Sequence, residues 1–186
     1  MNAEKNRWQS EIEGEREYKD EFFRKGPRSP LSSEDRIMFK GLVYYPPDER
    51  YRFELDIIEH SDKEMLEIED TKGHIRNFLR FGEFRFSIED TEYVLQAYKS
   101  DPQEDRLFVP FKDSTAGKET YGGGKYLDLE PDSDMTPEGK WMLDFNKAYN
   151  PWCAYSDKYA CPFIPRENVI EAVIPAGEKT YPGSAH

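Results

Sequence analysis

"YRFELDI", residues 51–57, alternates Tyr51, Phe53, Leu55 and Ile57 with Arg52, Glu54 and Asp56. A period of two places the four apolar side chains on one face of a pleated strand and the charged ones on the other. "FRFSI" at 84–88 repeats the pattern with Phe84, Phe86 and Ile88, and "KWMLDF" at 140–145 repeats it with Trp141, Leu143 and Phe145. Half-buried strands of this kind need a second layer to cover the apolar face. Weaker strand candidates are "IMFKGLVYY", "EMLEIED", "IRNFLRF", "EYVLQAY", "RLFVPF", "KYLDLE" and "NVIEAVI". Turn signals separate them: "YPPDE", "DTKG", "SDPQED", "STAGKE" and "PDSDMTPEG". The expected fold is mainly β, an antiparallel β-sandwich or a partly closed barrel.

The opening stretch has a different period. Trp8, Ile12, Tyr18, Phe22 and Phe23 fall in one stripe at about 100° per residue, and most other positions are Glu, Arg or Lys. This predicts an amphipathic N-terminal helix whose aromatic face lies on the body. Gly26, Pro27 and Pro30 end it, and "SSED" at 32–35 starts a further short turn. The expected organisation is a helix and linker over 1–35, one β-rich domain over 36–181, and a frayed tail over 182–186.

The chain has 186 residues, enough to bury a core without disulfides or metals, and 15% of them are aromatic. The formal net charge is −12, from 38 acids against 26 bases. Such a surface repels phosphate polyanions and anionic bilayers, so neither nucleic acid nor membrane is an expected partner. No apolar run approaches the length of a membrane span, and "MNAEKNRWQSEIEGERE" has no apolar signal region. The expected location is the cytoplasm, where the two thiols stay reduced.

Most recognisable motifs fail on inspection. "STAGKETYGGGKY" at 114–126 invites a phosphate-loop reading, but Lys118 is followed by Glu119 and Lys125 by Tyr126, where that loop needs Ser or Thr. The glycines at 122–124 are better read as room for a bulge or a close backbone approach. "DLEPDSDMTPEG" at 128–139 begins like a calcium loop. It has Ser133 where the turn glycine belongs and Gly139 where the bidentate glutamate belongs. His60, His74, Cys153 and Cys161 lack the spacing of a zinc site, so no metal is expected. There is no G-x-S-x-G elbow.

"DFNKAYNPWCAYSDKYACPFIPREN", residues 144–168, holds both cysteines among asparagines, tyrosines and prolines. Such a segment has two readings. It is a rigid corner held by its amides and hydroxyls, or it is a site whose polar groups stand on a stiff frame. The strand "WMLDFN" turns Asp144 and Asn146 away from Trp141, Leu143 and Phe145. Asp144, Asn146, Tyr149, Asn150, Cys153 and Tyr155 are therefore expected to face a concavity shared with Lys118, Tyr121 and Tyr126.

"FKDSTAGKETYGGGKYLDLE", "LDFNKAYNPWCAYSDKYACPFIPREN" and the later "AGEK" resemble the archaeal and bacterial family called domain of unknown function 1684. The resemblance extends through Trp8, "SPL" at 29–31, "FKGLVYYPPDERYRF" and "FGEFRF", and so covers nearly the whole chain. It implies no assigned activity and no cofactor. It directs attention to Asp113, Thr115, Gly117, Thr120, Tyr121, Tyr126, Asp144, Asn146, Tyr149, Asn150, Cys153, Tyr155, Cys161 and Asn168. Some members carry a second proline before the first cysteine and an arginine at 125, where this chain has Trp152 and Lys125. Lysine does not reproduce a bidentate anion contact, which weakens an anion site there.

Three functions are then in competition. The first is a β-domain that binds a small molecule or peptide in a pocket near the 144–161 loop. The second is an enzyme that uses Cys153 or Cys161 with Asp144 in support; no histidine lies near in sequence to serve as base. The third is a structural or interaction protein without a pocket. The sequence assigns no cofactor and no oligomeric state.

Overall fold

The computed structural model describes residues 2–183. Residues 184–186 of the expected tail lie outside the described residues, as does His186. The longest helix, α1, spans Asn2–Lys25 and is followed by the short α2, Ser33–Met38. Ser32 caps α2: its hydroxyl oxygen accepts the Asp35 N–H at 3.1 Å.

Seven strands follow: β1 Arg52–Leu55, β2 Ile58–Glu69, β3 Ile75–Ile88, β4 Thr91–Lys99, β5 Leu107–Phe111, β6 Lys125–Leu129 and β7 Trp141–Asp144, with a one-turn helix, α3 Pro131–Asp134, between the last two. They form two antiparallel sheets. One is the meander β2-β3-β4-β5-β6, and the other is the pair β1-β7. β2 and β6 remain separate edges of the meander, so the sheets do not close into a barrel, one of the two forms the strand spacing allowed.

The period-two stretches meet across the main core. Phe84, Phe86, Leu95, Leu107, Val109, Phe111 and Leu127 of the meander pack with Trp141 and Leu143 of the second sheet and with Phe145 just after it. Phe53 of β1 lies 5.2 Å from Phe86 and 6.0 Å from Phe145, ring centroid to ring centroid. Of the helix stripe, Trp8, Ile12 and Phe23 are buried and Phe22 is partly buried. Tyr18 is the exception: it is 77% exposed and stands off the buried face.

β3 contains one unpaired residue, Phe81, between the pairs Arg80↔Tyr98 and Gly82↔Ala97. "NVIEAVI" does not form a strand. It runs extended beside 112–114, joined by Lys112 N–H to Asn168 O at 3.0 Å, Ile170 N–H to Lys112 O at 2.9 Å and Ser114 N–H to Ala172 O at 2.8 Å.

Within the glycine run at 122–124, the two ends differ: Gly124 is essential and Gly122 is free. Gly124 has φ +91, and a β-carbon there would sit 2.7 Å from Phe111 O and 2.7 Å from the Ile164 side chain. At Gly122 the nearest atom would be 3.6 Å away. Gly124→Ala is expected to destabilise by about 1–3 kcal/mol through clash and left-handed strain. Gly122→Ala should change stability by less than about 0.5 kcal/mol. Equal urea midpoints for the two variants would refute the assigned close approach.

Candidate functional site

The residues singled out in the sequence divide among neighbourhoods, with Tyr121, Tyr126, Tyr149 and Cys153 together in one of them. Asp144 and Asn146 lie under α1. Asp144 Oδ2 accepts the Trp8 indole N–H at 2.7 Å, and Oδ1 accepts the Asn146 backbone and side-chain N–H groups at 2.9 and 2.8 Å. Arg52 stands 3.7 Å away. Asn146 in turn accepts Asp48 N–H at 2.8 Å and donates to Asp48 O at 2.9 Å. These two residues fasten the helix and the 48–51 turn to β7.

Tyr149 bridges to β6 through Tyr126 in both directions, at 2.9 and 3.0 Å, and its hydroxyl donates to Asp128 at 2.5 Å. Asn150 is fully buried. It donates its backbone N–H to Glu178 at 3.1 Å and its amide to Lys179 O at 2.9 Å. Tyr155 packs edge-on against Phe23 at 4.8 Å, under the end of α1. Lys118 is exposed on a turn. The N–H groups of that turn are already committed: Gly117 to Thr120 O, and Lys118, Glu119 and Thr120 to Thr115 O. They form a closed turn and not the open amide cradle an anion requires.

The cysteines form a cluster with Tyr126, bordered by Tyr121, Tyr149, Tyr159, Phe108 and Ile164. Cys153 lies in a one-turn helix at 152–154, and its backbone N–H points at Cys161 Sγ, 3.2 Å away. Tyr121 OH lies 3.8 Å from Cys153 Sγ. Cys161 is held by the β2–β3 turn: Thr71 N–H donates to Cys161 O at 3.0 Å, and Cys161 N–H donates to Thr71 Oγ1 at 3.2 Å. Asp70 organises that turn. Burial alone would raise its carboxyl. The N–H groups of Lys72 and His74, with the side chains of His74 and Arg76, prevail and hold it at about 2. Arg76 also donates to Ala160 O at 2.9 Å, which brings a cation to the cysteine loop.

The nearby Cys161, joined by Tyr121 and opposed by burial, lowers the Cys153 thiol below its ordinary value, while Cys153 and burial drive Cys161 upward. Burial, then the neighbouring Cys153, pushes Tyr121 up to about 12. The two described histidines bond elsewhere: His60 Nε2 meets Gln96 Oε1 at 2.7 Å and His74 Nδ1 meets Asp70 Oδ2 at 3.2 Å.

A second feature adjoins the 144–149 segment. Between it and α1 lies a cavity of about 70 Å³, lined in part by Arg16, Lys19, Tyr44, Asn146, Lys147 and Tyr149. Arg16 donates Nη1–H to Tyr45 O at 2.8 Å and Nη2–H to Asn146 O at 3.2 Å, and lies 4.5 Å over the Tyr44 ring. Lys19 pairs with the buried Glu178 at 2.7 Å, and Lys147 pairs with Asp134 at 3.2 Å. Among the described residues, Arg16 Nε and Tyr44 OH are buried and find no hydrogen-bond partner. Burial, reinforced by Glu178 and Asp20, raises Tyr44 and keeps its hydroxyl protonated. Sequence reading missed Arg16, Lys19, Tyr44 and Glu178, because they occur among many exposed charges and carry no motif. A roomier groove of about 360 Å³ touches Ile57, Phe81, Lys99 and Trp141, and none of the sequence candidates line it.

Together these features define a mainly β protein of two antiparallel sheets, with an N-terminal helix laid over the loops that leave β7. The family model described as "Protein of unknown function (DUF1684)" matches residues 37–179, and the chain belongs to that family. It is also similar to the solution NMR structure of an uncharacterized protein of Haloarcula marismortui. The two share 36% identity and a TM-score of 0.73, over 97% of this chain and 98% of that one. No curated protein matches the chain.

Proposed function

We propose that the protein is a small-ligand-binding β-domain. The two sheets stack as a sandwich, and the ligand's carboxylate or phosphate group enters the cavity between α1 and the 144–149 segment. One observation carries the reading: Arg16 and Tyr44 both line this cavity, and their buried Nε–H and hydroxyl have no protein acceptor. Buried donors in folded proteins are nearly always satisfied, and leaving one unmet costs about 1–3 kcal/mol. A group that brings acceptor oxygens satisfies both.

The volume restricts the choice. About 70 Å³ accommodates a carboxylate or phosphate group and not a length of peptide. Lys19 and Lys147 are already neutralised by acids, so selectivity rests on aimed donors more than on net charge. The net charge of −12 supports a small anion over a polyanion.

Nitrogen-15 NMR of the Arg16 Nε–H, followed as acetate or inorganic phosphate replaces chloride at constant ionic strength, tests the proposal. A saturable shift with one of the two is expected, weakened in Tyr44→Phe. A linear response equal to that of chloride would mean that water alone meets these donors, and the reading would fall.

A further inference from the structure

Cys153 and Cys161 are the two cysteines of the chain, and both are free thiols. Their closeness does not depend on the ligand cavity. Seven residues separate them, and the intervening loop is cornered by Pro151 and Pro162. Each end is fixed independently. The Cys153 turn is closed by Ala154 N–H to Pro151 O at 2.9 Å, and the Cys161 segment continues onto the end of β2 through Phe163 N–H to Glu69 O at 3.0 Å. Sulfur 161 thus lies 3.2 Å from the backbone nitrogen of residue 153. Such placement brings the two residues together, the first condition for a disulfide.

We propose that this pair is an oxidisable dithiol site whose co-substrate is a small hydroperoxide, with Cys153 as the attacking thiol and Cys161 as the resolving thiol. The Cys153 thiolate attacks one oxygen of R–O–O–H. An S–O bond forms, the O–O bond breaks, and the alkoxide leaves and takes up a proton as R–O–H. The Cys161 sulfur then attacks the resulting Cys153 sulfenic acid. The S–S bond forms, and the sulfenic hydroxyl leaves as water with the Cys161 proton. The two thiols lose two electrons in all, and the peroxide gains them.

Three observations assign the roles. Cys153 Sγ has Tyr121 OH 3.8 Å away, a hydroxyl that can donate to a thiolate. Cys161 receives the N–H of Cys153, so its sulfur is already placed at the residue that would be oxidised. Both residues are only 8% and 7% exposed. A protein disulfide could not reach them, whereas a molecule the size of hydrogen peroxide could, which selects the class of oxidant.

The test uses the full chain with hydrogen peroxide, followed by alkylation, intact mass and peptide mapping. The expected product has lost two hydrogens, carries residues 153 and 161 in one cross-linked peptide, and returns to two alkylatable thiols on treatment with dithiothreitol. Formation should be roughly tenfold faster than oxidation of a free cysteine peptide. Cys161→Ser should stop at a sulfenic acid on residue 153, trapped by dimedone, and Cys153→Ser should leave Cys161 unmodified. Two alkylatable thiols after a peroxide exposure that consumes the free peptide would overturn the proposal. So would a first adduct on Cys161. The wild-type mass change decides the matter even if a variant fails to fold.

Discussion

Asn168→Ala is expected to lower the stability by about 4 kcal/mol, a large share of the total for a protein of this size. Asn168 is fully buried and acts as a short piece of strand. Its Oδ1 accepts Gln96 N–H at 2.8 Å, and its amide donates to Gln96 O at 2.9 Å and to Pro110 O at 2.7 Å. The position needs such a side chain because β4 and β5 are in register only at Tyr98↔Phe108. Beyond that pair, the backbone groups of Gln96 and Pro110 depend on a side chain. Alanine would strand one buried N–H and two buried carbonyls. Asn168→Asp keeps the acceptor but loses both donations, and should be nearly as damaging. Urea unfolding at constant slope measures both. A midpoint shift worth less than about 1 kcal/mol for Asn168→Ala would mean that water replaces the amide and that the splice is not structural.

Asn168 also shows what the sequence conceals. The strands with clean alternation, 51–57, 84–88 and 141–145, were legible because one buried face writes a period of two. The alternation persists in the fold, where Tyr51, Phe53, Leu55 and Ile57 are partly buried and Arg52, Glu54 and Asp56 exposed. "NVIEAVI" has the apolar content of a strand but lies beside 112–114 with few ladder bonds. Its backbone is satisfied by side chains distant in sequence, as where Asp113 accepts Ile174 N–H at 2.9 Å. No local pattern encodes a bond across 61 residues. β2 was legible only at "EMLEIED", because it is an edge strand with charged residues along most of its length.

The candidate residues divide for the same reason. Composition correctly marked 144–161 as a dense polar segment. It could not separate Asp144 and Asn146, which anchor α1, from Cys153 and Cys161, which face Tyr121 and Tyr126. The rotation of a loop that leaves a strand through short helical turns at 145–147 and 152–154 depends on contacts the sequence does not display. Arg16 and Tyr44 are joined only by the docking of α1, so their shared cavity is a tertiary property.

That docking is itself testable. Trp8→Ala is expected to destabilise by about 4 kcal/mol. The indole is 6% exposed, so truncation leaves a cavity beneath the first turns of α1. It also removes the donor at 2.7 Å from Asp144, a carboxylate that is 2% exposed and sets the path of Asn146. Elsewhere on α1, Ile12 and Phe23 stay buried and Lys19 stays paired with Glu178, so the helix is weakened and not released. Its surface pairs, Arg7–Glu11 at 3.1 Å and Glu21–Lys25 at 2.6 Å, are exposed and contribute little to holding the helix down. Trp8→Phe separates the two effects: it keeps most of the apolar contact and deletes the N–H, and should cost about 2 kcal/mol. Because α1 forms one wall of the Arg16–Tyr44 cavity, Trp8→Ala should also broaden the Arg16 Nε–H resonance while the helix stays largely formed by circular dichroism. Unchanged stability in Trp8→Ala would mean that α1 is not held through its aromatic face. A loss in Trp8→Phe as large as in Trp8→Ala would place the anchor in the hydrogen bond to Asp144 and not in the packing.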